Sequence, residues 1–187
     1  VALLYVGCAT TSATRQSPVP SSPFVETDSA LFEDGVDMVG YPAGLSGRWA
    51  DDWARELQNR VRRSDVIALL SVTTLRTDVS PENRSTQWLV AEVGDVLKGE
   101  YEGELGLASS EDDRGYASVE RERVGLMRKP LIVFAKWVND DTGAVRPRWH
   151  LARATDDIIE GVHAQLTRDR EAPKTVKTVE YIHDAQR

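Results

Sequence analysis

The sequence predicts an α+β fold: a small antiparallel sheet or partly closed β-barrel flanked by two helices, behind a disordered N-terminal tether. Three observations predict it. Two long apolar runs, opening at Val66 and at Thr86, flank the polar stretch Asp78–Ser85, which is the pattern of a β-hairpin. A second pair of runs, Leu131–Val138 and Ala144–Leu151, flanks a turn that ends in Gly143. Two further segments, Arg48–Arg63 and the stretch after Thr155, repeat apolar residues at helical spacing. The 187 residues suffice for one domain, placed at 31–170, with a C-terminal tail at 171–187.

Taken in order, Val36–Tyr41 is a short strand candidate between Asp34-Gly35 and Pro42. Arg48–Arg63 carries Trp49, Trp53, Leu57 and Val61 on one stripe, with Ser46 as N-cap, Asp51 and Asp52 in the first turn and Arg60, Arg62 and Arg63 in the last. That distribution suits the helix dipole, and the Trp face is expected to pack on the sheet. The strand from Asp65 to Thr77 is apolar on both faces at its start and polar after Ser71, so its first half belongs in the core. Its partner, Thr86–Leu97, contains Gly94, where a bulge is expected. Gly103–Ala108 is a weaker strand, Ser109–Gly115 a loop, and Ser118–Arg123 is charged and ambiguous. Leu131–Val138 is the clearest strand, and Ala144–Leu151 its hairpin partner. Pro147 has no N–H to give a ladder, so this last strand belongs at a sheet edge. Thr155 caps a second helix with Ile158, Ile159, Val162 and Leu166 as its stripe, weakened by about 1 kcal/mol at Gly161. Lys174–His183 has the composition of a strand or a loose tail.

The net charge of −7 argues against nucleic acid as a partner, because phosphate binding needs a basic surface. No segment reaches the roughly 18 apolar residues of a membrane span. His150, His163 and His183 lack zinc-site spacing, and the Asp140–Gly143 turn lacks the calcium-loop pattern. There is no Gly-rich phosphate loop after a strand and no nucleophile elbow. The sequence therefore predicts no metal, no cofactor and no defined catalytic residue. Acids distant in the chain can still meet in a fold, and His150, Asp140 and Asp141 are the candidates for such a site.

The single cysteine, Cys8, excludes an intrachain disulfide. It closes the apolar run Val1–Gly7, and the residues after it, Ala9–Ser22, are small, polar and Pro-rich. Val6-Gly7-Cys8 resembles the lipobox of bacterial lipoproteins, although Tyr5 stands where that motif usually has Leu and the Leu is one position earlier, at Leu4. The resemblance covers about eight residues. It implies that residues 1–7 are the remnant of a signal peptide. Cys8 would then be the lipidated first residue, and 8–30 a flexible linker. It further implies a membrane contact through acyl chains on Cys8 and, since residue 9 is Ala and not Asp, the outer membrane over the inner. The alternative is a buried N-terminal strand with an incidental cysteine. Asp65-Val66-Ile67, Val93–Gly99 and Pro130–Phe134 together resemble strands of the small OB and netrin-like barrels, with no signature residue to fix that family.

Two functions follow as expectations. The first is a membrane-anchored bacterial envelope lipoprotein acting as a non-catalytic binding or assembly module. The second is a lipid-anchored hydrolase of the cell wall or another envelope polymer. For the first, an envelope protein partner is expected along the edge strand Ala144–Leu151, contacted by Arg146, Arg148 and Trp149, with the two arginines opposite Val145 and Trp149. The competing reading is that these arginines only keep the edge soluble.

Overall fold

The computed structural model describes residues 20–171, apart from 21, 40, 41 and 141. The expected signal remnant, Cys8 and most of the linker lie outside the described residues, as do Asp141 and the tail beyond Glu171. The described residues form three α-helices and one six-stranded sheet, an α+β fold whose sheet is curled into a half-barrel. The strands are β1 (Gly35–Asp37), β2 (Val66–Val79), β3 (Ser85–Lys98), β4 (Glu104–Ser110), β5 (Leu131–Asn139) and β6 (Val145–Arg153). The helices are α1 (Arg48–Arg63), α2 (Tyr116–Leu126) and α3 (Asp156–Glu171). Strand order is β1-β6-β5-β2-β3-β4, antiparallel throughout except for the short parallel pair of β1 with β6.

The two faces of the sheet bury two cores. The concave face holds Val66, Ala68, Leu70 and Val72 of β2, Leu89 and Ala91 of β3, Leu105 and Leu107 of β4, and Trp149 and Leu151 of β6. Val119 and Leu126 of α2 close it. The convex face packs Ile67, Ile132 and Phe134 against Leu57 and Val61 of α1 and Ile158 and Val162 of α3. β2 serves both cores through alternate residues, which is why its first half is apolar on both faces. From Thr73 onward most of its residues are exposed, although Leu75 still packs on the core and the facing half of β3 buries Gln87 and Leu89 beside β4. Gly161, unfavourable within a helix, lies where α1 crosses α3: a Cβ there would sit 3.1 Å from Leu57 Cδ2.

Curvature comes from irregular pairing. Ala68 pairs with Val96 and Leu70 with Val93, so β3 carries an extra residue around Gly94, as its sequence indicates. A further extra residue in β3 precedes Lys98, and one at Thr73 lies in β2. The curl brings the two ends of the sheet together. The Trp149 indole N–H of β6 donates to Ala108 O of β4 at 2.9 Å, although three strands lie between them. Gly115 N–H donates to Glu33 O, and Val36 N–H donates to Ser118 Oγ, both at 2.9 Å. Between them the Gly35 and Gly115 backbones approach so closely that a Cβ on either would overlap the other. α2 thus bridges the gap between the first and last strands.

Several expectations are corrected. The ambiguous Ser118–Arg123 segment is the middle of α2, a third helix, whose buried apolar contacts are only Val119 and Leu126. Gly47, with φ of 57°, and not Ser46, precedes α1. Trp49 is 76% exposed, so the packed stripe of α1 begins at Trp53. Thr155 takes the position before α3 through its carbonyl, while its hydroxyl has no hydrogen bond among the described residues. The linker is shorter than 8–30, because Ser22 bonds Lys136 and Glu26–Ala30 forms a 3₁₀ turn whose Asp28 is buried against Arg63. β6 is not an edge along its whole length, since Gly35–Asp37 pairs with His150–Ala152.

The close backbone approach gives the first test. Gly115→Ala should lower stability by about 3 kcal/mol or more, because backbone must move to admit the methyl group. Gly106→Ala, where no atom lies within 4 Å of the new Cβ, should stay within about 0.5 kcal/mol of wild type. Denaturant unfolding checks both, and a Gly115→Ala protein as stable as the Gly106→Ala control would refute the seam.

Candidate functional site

The expected partner surface splits when placed on the fold. Trp149 is fully buried, its ring on the concave core and its indole on Ala108 O. Arg148 is held inside an acidic pair, with Nε 2.9 Å from Asp34 Oδ2 and Nη1 3.2 Å from Asp113 Oδ1. Of the three residues only Arg146 is exposed. The backbone offers little to an added strand. Residues pointing away from β5 alternate along β6. Trp149 is one of them: its N–H donates to Asp34 Oδ1 and its C=O accepts from Asp34 N–H. The next outward positions are Pro147, which has no N–H, and Val145. A free rim of one donor at most is a blunted edge. The opposite edge, β4, is filled by side chains: Tyr101 donates to Glu104 O, Trp149 to Ala108 O, and Ser110 N–H donates to Asp113.

The candidates for hydrolytic chemistry do not converge. His150 is buried beside Phe134 in β6, whereas Asp140 lies in the β5–β6 turn about 20 Å away along an extended strand. Asp140 is occupied in the turn, accepting from Thr142 N–H, Thr142 Oγ1 and Ala144 N–H. The Thr142 hydroxyl heads the contacts that hold its carboxyl below the usual range. Only ten residues separate them in sequence, but the length of the hairpin sets them at its opposite ends.

What the fold does gather is a set of ionisable groups around the Glu33-Asp34-Gly35 segment, whose own two acids the sequence pattern does not mark. Asp34 has φ of 54°, a region tolerated by Asp and Asn. Burial pushes its carboxyl from the ordinary 3.8 up to about 7, against the opposing pull of Arg148 and the Trp149 N–H. Arg148 Nε lies close but has no aligned hydrogen bond, so the ion pair offsets little of the desolvation. On the other side of the segment, burial also raises Glu33, and Arg60 partly opposes it. Arg60 donates to Leu31 O and Glu56, while its own burial lowers it. His150 lies between them with Nδ1 3.8 Å from Glu33 Oε1, beyond hydrogen-bond reach. Burial, with Arg60 nearby, holds its imidazole well below the ordinary value and therefore neutral. Asp34, Arg60 and His150 are buried and Glu33 is half-buried. Among the described residues no group of His, Cys, Asp and Glu could hold a metal ion.

A cleft lies elsewhere, where the end of α1, the end of β3 and the last turns of α3 meet. It encloses about 710 Å³ and is lined by Arg62, Leu97, Lys98, Gly99, Leu166, Asp169 and Arg170. Lys98 Nζ donates to Val61 O at 2.7 Å and to Arg62 O at 3.1 Å, capping the carbonyl end of α1. Burial lowers its ammonium, with Lys136 adding repulsion and Asp65 and Asp169 opposing both. Arg62 reaches Asp169 at 3.7 Å. Arg170 makes no ion pair with a described residue. No helix of the described residues is long and apolar enough to cross a membrane, a statement that does not extend to β-barrels. Comparison of the chain with known family models, with curated proteins and with solved structures gives no match.

Asp34 carries a pH signature whose sign is fixed. A carboxyl raised in the fold binds its proton more tightly folded than unfolded, so its contribution is fully present below pH 3.8 and lost as pH rises through about 7. Asp34→Asn keeps an oxygen for the Trp149 N–H and tolerates the backbone, but carries no charge. It should be more stable than wild type at pH 8, by about 2 kcal/mol, with the gap closing toward pH 5. Asp34→Ala should be destabilised at both, having lost the acceptor. Unfolding curves at the two pH values check this, and an unchanged gap between wild type and Asp34→Asn would contradict it.

Proposed function

We propose that this chain is a lipid-anchored module of the bacterial cell envelope, holding a partner and not transforming a substrate. The reading rests on the resemblance of Val6-Gly7-Cys8 to a lipobox and on what the fold does with the residues after it. Cys8 lies outside the described residues. The polar stretch behind it ends where Ser22 bonds Lys136 through Oγ at 2.7 Å, fourteen residues beyond the cysteine. That connection spans at most about 50 Å when extended, a suitable spacer between a bilayer and a folded domain.

The observation that carries the choice of binding over catalysis is the placement of the groups with displaced protonation. Asp34, Arg60 and His150 are buried in the protein, and with the half-buried Glu33 they join the segment before β1 to α1 and β6. Catalytic acids and bases need a cleft to act on a substrate. The cleft here is lined by three cations and one carboxylate beside two leucines, a surface for attachment. Arg146 remains as a partner contact on the free rim of β6, whereas Arg148 and Trp149 serve the fold and are withdrawn from that role.

Intact-mass analysis of protein extracted from membranes tests the anchor. The mature chain should lack residues 1–7 and carry acyl mass on Cys8, and Cys8→Ser should release it to the soluble fraction. A membrane-derived chain retaining Val1–Gly7 with a free thiol would overturn the proposal.

A further inference from the structure

We infer that the cleft between α1, α3 and β3 takes the phosphate-bearing headgroups of an anionic bilayer, a second membrane contact besides the acyl chains. Arg62, Lys98 and Arg170 oppose the single carboxylate of Asp169 there, in a chain whose net charge is −7. Lys98 is already immobilised: α1 carbonyls take two of its three ammonium donors and leave one for a ligand. Arg62 is 3.7 Å from Asp169, too far for a hydrogen bond, so its guanidinium is free to turn to a phosphate. Leu97 and Leu166 supply an apolar floor beside these donors, fitting an amphiphile better than a bare anion.

The location selects a bilayer over a soluble phosphate, and this choice rests on the anchored reading. Lys98 pairs with Ile67 at the start of β2, Lys136 follows Ala135, which pairs with Val66 at that same end, and Lys136 is where Ser22 enters the fold. Arg63, adjacent to Arg62, holds Asp28 of the same entering segment at 2.7 and 2.8 Å. The chain therefore leaves toward its anchor from the end of the domain that carries the cleft. The acidic remainder is repelled by anionic lipid, which orients this end inward.

The test uses the full chain, unacylated, sedimented with phosphatidylcholine vesicles with or without roughly one-third phosphatidylglycerol. Binding should require phosphatidylglycerol and fall at high salt. Arg62→Glu with Arg170→Glu should weaken it by about tenfold or more. Arg121→Glu with Arg128→Glu makes the same change in net charge on exposed residues outside the cleft and should retain most binding. Both variants should keep the thermal midpoint within a few degrees. Equal losses in the two variants, equal binding to both vesicle types, or no binding would overturn the inference. So would cleft-dependent binding of glycerol phosphate without vesicle binding, which assigns a soluble ligand. Because the protein carries no acyl chain here, these outcomes are independent of the mass measurement on Cys8.

Discussion

The structure depends on the seam that joins β1 and β6 to β4. A six-stranded sheet with this order would otherwise expose one face of its outer strands, since α1 and α3 cover only the convex side. Curling solves that by turning the concave face on itself, and the seam holds the curl. Its parts are short and specific: the Trp149 indole on Ala108 O, the Gly115 N–H on Glu33 O, and the Ser118 hydroxyl accepting from Val36 N–H. The contact between Gly35 and Gly115 leaves no room for a side chain on either. Asp34 and Asp113 clamp Arg148 across the same line, one acid from each side. The burial of Asp34 is thus a consequence of closure, and its raised pKa reports that the two ends have met.

Strands and helices with a strong apolar period were legible in the sequence. α1 spans the range that its apolar period and its charges indicate, although Gly47 and not Ser46 precedes it, and β2, β3, β5 and β6 follow their apolar runs. The bulge at Gly94 was legible too, because a glycine inside a strand has few other uses. α2 was not. Its apolar contacts amount to Val119 and Leu126, while Glu120, Arg121, Glu122 and Arg123 mask any period, and its role is fixed by what it bridges. The pairing of β1 with β6 is a contact over more than a hundred residues, which no local pattern encodes. Pro147 did mark an edge correctly, but only for Val145–Arg148, because Asp34 and β1 cover the rest.

The candidate sites show the same division. Arg148 and Trp149 looked like surface groups because alternation in a strand says which residues share a face and not what lies against that face. The ionisable cluster at Glu33 and Asp34 was invisible because its members come from the segment before β1, from α1 and from β6. Lys98 read as the end of a strand, although its ammonium caps a helix some thirty-six residues earlier in the chain. Charge on this molecule is consequently divided in function. Some pairs fasten the fold from within, and a smaller set of cations stays available at the cleft beside the entry of the N-terminal segment.

Hydrogen exchange of the tryptophan indole N–H groups tests the seam most directly. Trp49, on the surface of α1, supplies an unprotected standard within the same molecule. If closure holds the fold together, the Trp149 indole should exchange only through global unfolding, with an opening free energy equal to that from denaturant titration. Exchange of Trp149 at a rate near that of Trp49, while β2 and β5 amides stay protected, would mean that the seam opens on its own and would contradict the account.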